Sequence, residues 1–440
     1  MKVLMIAFSC GPGRGSEPGV GWNMALETAR LGHDVLVLTQ TEFQEDIERE
    51  LAAGKVPENL RFDIFTPGWL ERVREAGLKC RLPSLVWPLV SLLWQFYALF
   101  RARRRYKQAG FDLVHHVTFA TIRQPTLLTQ LGLPTVIGPL GGGDRVPMTL
   151  RKSFPWGPWI KELVRDIYNV GLRADPITRS AFRHAKLILL RTEASLVAVP
   201  PRYRNKVHIN VGTGIAQMAE AKVLPRRSGE PFRLLYAGNL LYLKGMHLGL
   251  RALARARAQG TNATLTIAGG GPARRDLEQL ARELDIAAHV TWCGELPRQK
   301  LLGMYSDHHA FLFPSLRDAA PTVVMEAWAH GLPVICLALG GPARMVDESC
   351  GRIVAVSNRN EGECVAALAA EIVALAENEG LRLSLGHGAI VLYRECLWPK
   401  TVAALYAEIE SRLQRGAGET VGGWPQYQYP AEGLVTRRYN

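Results

Sequence analysis

The chain has 440 residues, of which 48% are hydrophobic and 21% charged, a balance that excludes a disordered polymer and calls for two cores rather than one. A formal charge of +13 points to anionic partners such as phosphorylated substrates or a membrane surface, whereas a nucleic-acid role finds no aromatic–basic RNA-binding pattern to support it. Seven cysteines, Cys10, Cys80, Cys293, Cys336, Cys350, Cys364 and Cys396, are scattered without CxxC pairs, which argues against a disulfide framework or a zinc site and for a reducing cytoplasm.

In chain order, "MKVLMIAF" is a short apolar run that ends in glycines without a cleavage site, so it reads as a buried strand and not a signal peptide. "WNMALETARLGH" follows as a crossover helix closed by Gly32. The strands expected in the first half are Val3–Phe8, Asp34–Thr39, Arg61–Phe65, Asp112–Val117, Thr135–Gly138 and Lys186–Leu190. Within this half, Leu82 to Phe100 is uncharged and runs into "RARRRYK". Pro83 and Pro88 interrupt it, and the remainder is too short to cross a bilayer unaided. It reads as a helix apolar nearly all round, with Ser91 and Gln95 on one stripe. A surface contact with an anionic membrane and a plain core helix both remain open, with a true span a third reading.

A second series of strands is expected at Phe232–Ala237, Ala263–Ala268, His289–Cys293, Ala310–Pro314, Pro333–Leu337 and Arg352–Val356. Alternation of strands and helices predicts parallel α/β architecture in two successive Rossmann-like sheets. The expected domains are 1–205, a linker at 206–229, and 230–395, followed by a last amphipathic helix within 396–415 ("PKTVAALYAEIESRLQR") and a disordered tail at 416–440.

Open α/β sheets bind ligands at the carboxyl ends of their strands. After the first strand, "GPGRGSEPGVGW" places Gly19 and Gly21 at a helix start, where backbone N–H groups can approach an anion; a plain βα turn is the bland alternative. In "YAGNLLYLKGMHLGLRA", Lys244 precedes a helix, an awkward place for a cation unless phosphate joins it, although single lysines are usually solvated. "IAGGGPARRDLEQLA" gives a third junction around Gly270. The fourth, "FPSLRDAAPTVVMEAWAHG", sets Asp318 in a loop and Glu326 in the following helix. Two carboxylates can each accept paired hydroxyl hydrogen bonds, one from a hexose and one from a ribose. A helix cap at Asp318 and a surface acid at Glu326 is the alternative.

Together these junctions resemble the retaining glycosyltransferases of family 4, and the resemblance is strongest from Leu234 to Gly351. It implies the GT-B fold, two facing Rossmann-like domains with a cleft between them, and transfer of a sugar from a nucleotide diphosphate sugar to a hydroxyl with retention. Glu326 would bind the ribose, Asp318 the donor sugar and Lys244 the diphosphate, with Asn239, Gly270 and the backbone of Ala319, Ala320, Pro321, Thr322 and Val323 completing the donor site. Either His115 or His116 of "DLVHHVTF" would match a histidine near the sugar, with His116 favoured, and "GPLGGGDR" would border the acceptor cleft. No cofactor or metal is implied. The acceptor would be lipid-linked or a glycan, in cell-surface polysaccharide or glycolipid assembly on the cytoplasmic membrane face.

The chain departs from the family at two points: Gly238-Asn239 replaces the usual Gly-Arg, and Asp318-x7-Glu326 replaces E-x7-E. These departures leave room for a catalytically weak or inactive binding protein, and an epimerase or inverting transferase of the same fold is a further alternative.

Overall fold

The computed structural model describes residues 1–414 apart from 80–82, 107–108, 120, 125, 219–222, 224 and 228. The tail expected at 416–440 lies outside the described residues. Seven strands form the first sheet: β1 (Lys2–Ala7), β2 (Asp34–Thr39), β3 (Leu60–Ile64), β4 (Leu113–Thr118), β5 (Thr135–Leu140), β6 (Leu187–Leu190) and β7 (Val207–Ile209), in the order β3-β2-β1-β4-β5-β6-β7. The second sheet holds β8 (Phe232–Ala237), β9 (Ala263–Ala268), β10 (Val290–Gly294), β11 (Ala310–Phe313), β12 (Val334–Leu337) and β13 (Gly351–Val354), in the order β10-β9-β8-β11-β12-β13. All pairings named within these sheets are parallel. The architecture is the two-domain α/β arrangement of the GT-B fold.

Each strand expected from the sequence is present, its ends moved by no more than two residues. The addition is β7, which pairs with β6 and lies inside the stretch expected to link the halves. Three residues with a lone histidine between two aliphatics carry too little pattern to declare a strand.

In both sheets the order reverses between the first strand and its neighbour on the far side, β1 beside β4 and β8 beside β11. Loops leaving those strands diverge there and open a crevice. The two crevices face each other, and the halves are joined by more than the linker. Val146, Leu150 and Phe154, which follow β5, are buried in the core of the second half. Glu361 accepts hydrogen bonds from the Ser153 backbone N–H (3.0 Å) and hydroxyl.

The helix Trp398–Gln414 returns to the first half. Val402, Leu405, Tyr406 and Ile409, at helical spacing, are buried with Val3, Met5 and Val117 of the first sheet. Ile215 hydrogen-bonds Cys396 (2.9 Å) and Trp398 (3.1 Å), so the two strands of chain that pass between the halves run side by side.

The helix Pro83–Arg105 covers the other face of the first sheet, with Val90, Trp94, Ala98 and Ala102 buried there. Its polar stripe is turned inward: Ser91 and Gln95 are buried, and Gln95 Oε1 accepts from the Leu127 N–H at 3.0 Å. Leu89, Phe96, Tyr97 and Phe100 face solvent instead. The core needs one side-chain acceptor for the backbone after β4, and this inverts the ordinary pattern. No helix among the described residues is long and apolar enough to cross a membrane.

Candidate active site

Four loops meet at the crevice: those after β1 and β4 in the first half and those after β8 and β11 in the second. After β8, Gly238 has φ +145°, and Gly245, at φ +69°, closes the turn Tyr242–Lys244 and starts the helix Met246–Ala258. A side chain at Gly245 would run into the Pro314 carbonyl, so the glycine brings this loop against the one after β11. Lys244 is thereby held beside Asp318, and the two form an ion pair, both side chains less than one-fifth exposed. The ammonium also lies 5.7 Å from the centre of the Phe313 ring.

Asp318 does not cap the following helix, Thr322–Ala329. The N-cap is Pro321, without a side-chain hydrogen bond. Asp318 instead accepts from the Ala320 N–H (3.3 Å), while its carbonyl takes the Gly341 N–H (2.6 Å). Nor is Glu326 a surface acid: its side chain is 5% exposed. Arg298 forms an ion pair with Glu326 Oε1 at 2.9 Å, and the Tyr305 hydroxyl donates to Oε2 at 3.2 Å. Burial raises the Glu326 pKa above its ordinary value, and Arg298 and Tyr305 oppose that rise.

Glu326 and Thr322 line a cleft of about 260 Å³ whose opposite wall is the first-half loop, with Gly15, Ser16, Gly19 and Arg298 among its boundaries. Asn239 is exposed in the loop after β8, and its carbonyl accepts from the Tyr236 hydroxyl at 3.1 Å. Gly270 packs beside Glu295 and its carbonyl accepts from the Leu240 N–H at 2.7 Å, so it ties two second-half loops together. Ala319 faces Gly141 of "GPLGGGDR" across the crevice, with Ala320, Pro321, Thr322 and Val323 following it into the helix.

Three expected site residues do other work. Gly21 is the close contact between the helix Ser16–Arg30 and the Ser9 carbonyl, where a Cβ would clash; the helix begins earlier than Gly19 and Gly21, so neither sits at its first N–H groups. His115 is fully buried with both ring nitrogens committed. Its Nε2–H donates to the Gly138 carbonyl (3.1 Å), which can only accept, so Nδ1 receives the Tyr406 hydroxyl (3.0 Å). Burial lowers its pKa to about 4. His116, also sealed inside, is lowered to about 4 by burial and by the neighbouring His115, with only the Phe119 backbone opposing that fall. It does not reach the crevice surface in this arrangement.

Several cleft residues were not anticipated. Arg14 and Glu17 follow β1, and with Phe43, Trp87 and Phe119 they line a cavity of about 490 Å³ in the first half. Arg191 follows β6 and donates to the Val211 carbonyl (2.8 Å) and Thr213 Oγ1 (2.5 Å), with Glu17, Asp144 and Asp318 as its electrostatic neighbours. The rule that residues just after strands matter would have found Arg191; Arg298, on a helix after β10, carries no such signal. No group of three or more His, Cys, Asp or Glu among the described residues is arranged to hold a metal.

Residues 219–390 match the family described as Glycosyl transferases group 1. A glycogen synthase from Mycobacterium tuberculosis is 30% identical over 163 residues, 35% of this chain and 39% of that protein's length. A GDP-mannose-dependent alpha-(1-6)-phosphatidylinositol monomannoside mannosyltransferase from Mycolicibacterium smegmatis is 23% identical over 320 residues, 64% of this chain and 82% of the relative. Among solved structures, the lipopolysaccharide outer core galactosyltransferase WaaB in its apo form superposes with a TM-score of 0.59 at 13% identity, covering 94% of this chain and all of that one. That likeness is one of fold, and it is the GT-B fold derived above.

Proposed function

We propose that the protein transfers a sugar from a nucleotide diphosphate sugar to an acceptor hydroxyl. One observation carries this reading: at the switch point of the second sheet, a loop aspartate is held by a lysine next to Ala319, which lies against Gly141 of the first half, and a buried glutamate one turn into the following helix lines the cleft opposite the first half. Glu326 would take two ribose hydroxyls, Asp318 the hydroxyls of the sugar and Lys244 the diphosphate. The bond between the anomeric carbon and the phosphate oxygen breaks, and a bond from the acceptor oxygen forms. The acceptor proton passes to the departing diphosphate. Lys244 and loop N–H groups stabilise the charge that develops there. Approach of the two halves excludes the water that would otherwise take the sugar.

Retention of configuration belongs to this proposal and rests on the family 4 resemblance. The name of one relative, a GDP-mannose-dependent phosphatidylinositol monomannoside mannosyltransferase, supports a nucleotide sugar donor. A glycan or lipid-linked acceptor at the inner membrane face is proposed with it. It is supported by the exposed Leu89, Phe96, Tyr97 and Phe100 beside Arg103, Arg104 and Arg105.

The test is a thermal-shift screen against a panel of nucleotide diphosphate sugars. One donor should raise the melting temperature in the parent and not in Glu326→Gln. Stabilisation by none would remove the reading. If the bound sugar is converted without an acceptor, the enzyme is an epimerase instead.

A further inference from the structure

Three guanidinium groups converge beside the crevice without the acids needed to balance them. Arg123 follows β4, Arg165 lies on the helix Trp156–Gly171, and Arg317 directly precedes Asp318. The Gly142 carbonyl accepts from Arg123 (2.8 Å), Arg165 (2.7 Å) and the Asn169 amide (3.3 Å), and Asn169 Oδ1 accepts from Arg123 Nε at 3.0 Å. Arg317 pairs with the buried Glu162. Arg123 and Arg165 form no ion pair among the described residues. The next acid, Asp144, accepts from Thr192 (2.7 Å) and forms no ion pair with any of the three among the described residues.

Neutral donors would satisfy a carbonyl equally well, and half-buried guanidiniums are costly when left unpaired. Burial and repulsion from Arg317 and Arg123 bring the Arg165 pKa down to about 9, and its Nε is buried without a partner. Three guanidiniums with a single ion-paired acid, Glu162, match a dianionic phosphate better than a carboxylate, and planar guanidinium forks suit its oxygens.

This cluster is separate from the lysine assigned to the donor. Arg317 and Asp318 are neighbours that pair in opposite directions, Asp318 with Lys244 in the second half and Arg317 with Glu162 in the first. Arg123 and Arg165 belong to the first half, across the crevice from the proposed donor residues Lys244, Asp318 and Glu326. We propose that Arg123, Arg165 and Arg317 bind a phosphate group carried by the acceptor. The word acceptor rests on the glycosyl-transfer reading above; the phosphate site does not.

The experiment is calorimetric titration of inorganic phosphate into the full chain carrying Lys244→Ala, which removes the donor-side cation. Adding Arg123→Gln and Arg165→Gln should weaken phosphate binding about tenfold or more. Adding Glu162→Gln instead should strengthen it, a rise that a merely misfolded variant would not give. Glucose 1-phosphate and vesicles containing phosphatidic acid then distinguish a soluble sugar phosphate from a lipid phosphate; loss of either in the arginine variants supports the site and names its source. No phosphate binding in the Lys244→Ala protein, or unchanged binding in the arginine variants, overturns the proposal. So does an arginine variant of the otherwise unaltered chain that loses nucleoside diphosphate as severely as Lys244→Ala does, since that would put the cluster in the donor site. Loss of phosphate in a protein that binds no nucleotide sugar would keep the site and reject the transferase reading.

Discussion

Lys244 and Asp318 form an ion pair, each side chain less than one-fifth exposed. On the proposed reading a donor must separate them, the ammonium turning to the diphosphate and the carboxylate to the sugar. Asp318→Asn should therefore leave Lys244 freer, so that bare nucleoside diphosphate binds as well as in the parent or a few-fold tighter while sugar transfer falls. Lys244→Ala should weaken the same nucleotide about tenfold or more, since a charged hydrogen bond is worth roughly 1.5–3 kcal/mol. Titration of both variants with nucleoside diphosphate checks the pair, and equal weakening by both would show that Asp318 grips the nucleotide too.

Glu326 gives a pH dependence. Its pKa is raised above 4.5 by burial and held back by Arg298, and only the carboxylate accepts both ribose hydroxyls. Nucleotide affinity should decline as pH falls through the raised pKa, beginning above the range of an ordinary glutamate. Arg298→Gln should move that decline to higher pH. Because a raised folded pKa means the charged form is disfavoured by folding, this group's contribution to stability falls as pH rises above 4.5. Glu326→Gln should accordingly keep or raise the melting temperature at neutral pH while weakening nucleotide binding.

The C-terminal helix should behave as part of the first half. Leu405→Ala should cost about 2–5 kcal/mol as a buried truncation, and Tyr406→Phe about 1–3 kcal/mol, because the buried His115 Nδ1 loses its donor. Denaturant unfolding measures both. His115 is kept neutral at a pKa of about 4, so stability should fall as pH drops from 6.5 toward 4, by on the order of 3 kcal/mol from this group; His115→Gln should flatten that fall.

The outward face of the helix Pro83–Arg105 predicts recovery on anionic vesicles, only partly reversed by salt. Phe96→Ser with Phe100→Ser should reduce sedimentation with vesicles without lowering the melting temperature, because both side chains are more than half exposed. Equal recovery of the parent with and without vesicles would remove the membrane contact.

How much of this could be read from the residues follows from the range of each interaction. The strands other than β7 were legible as short, largely apolar runs, and the positions of Asp318, Lys244, Thr322 and Glu326 because they follow strands at the switch point or lie on the helix there. His115 was misjudged because the residue that occupies it, Tyr406, lies 291 positions away. Gly21 answers to the Ser9 carbonyl, which no local pattern reports. Ser91 and Gln95 look like a solvent stripe until the unpaired Leu127 N–H is seen to need Gln95. The arginine cluster draws on three separate segments, and single arginines in a basic chain carry no signal.

The most direct measurement is transfer of label from radiolabelled nucleotide diphosphate sugars to a total lipid and glycan extract, comparing the parent with Glu326→Gln. One sugar nucleotide should label an acceptor with the parent protein, and labelling should fall about tenfold or more in the variant. Labelling from none of the sugar nucleotides, or equal labelling by both proteins, would contradict the glycosyl-transfer reading.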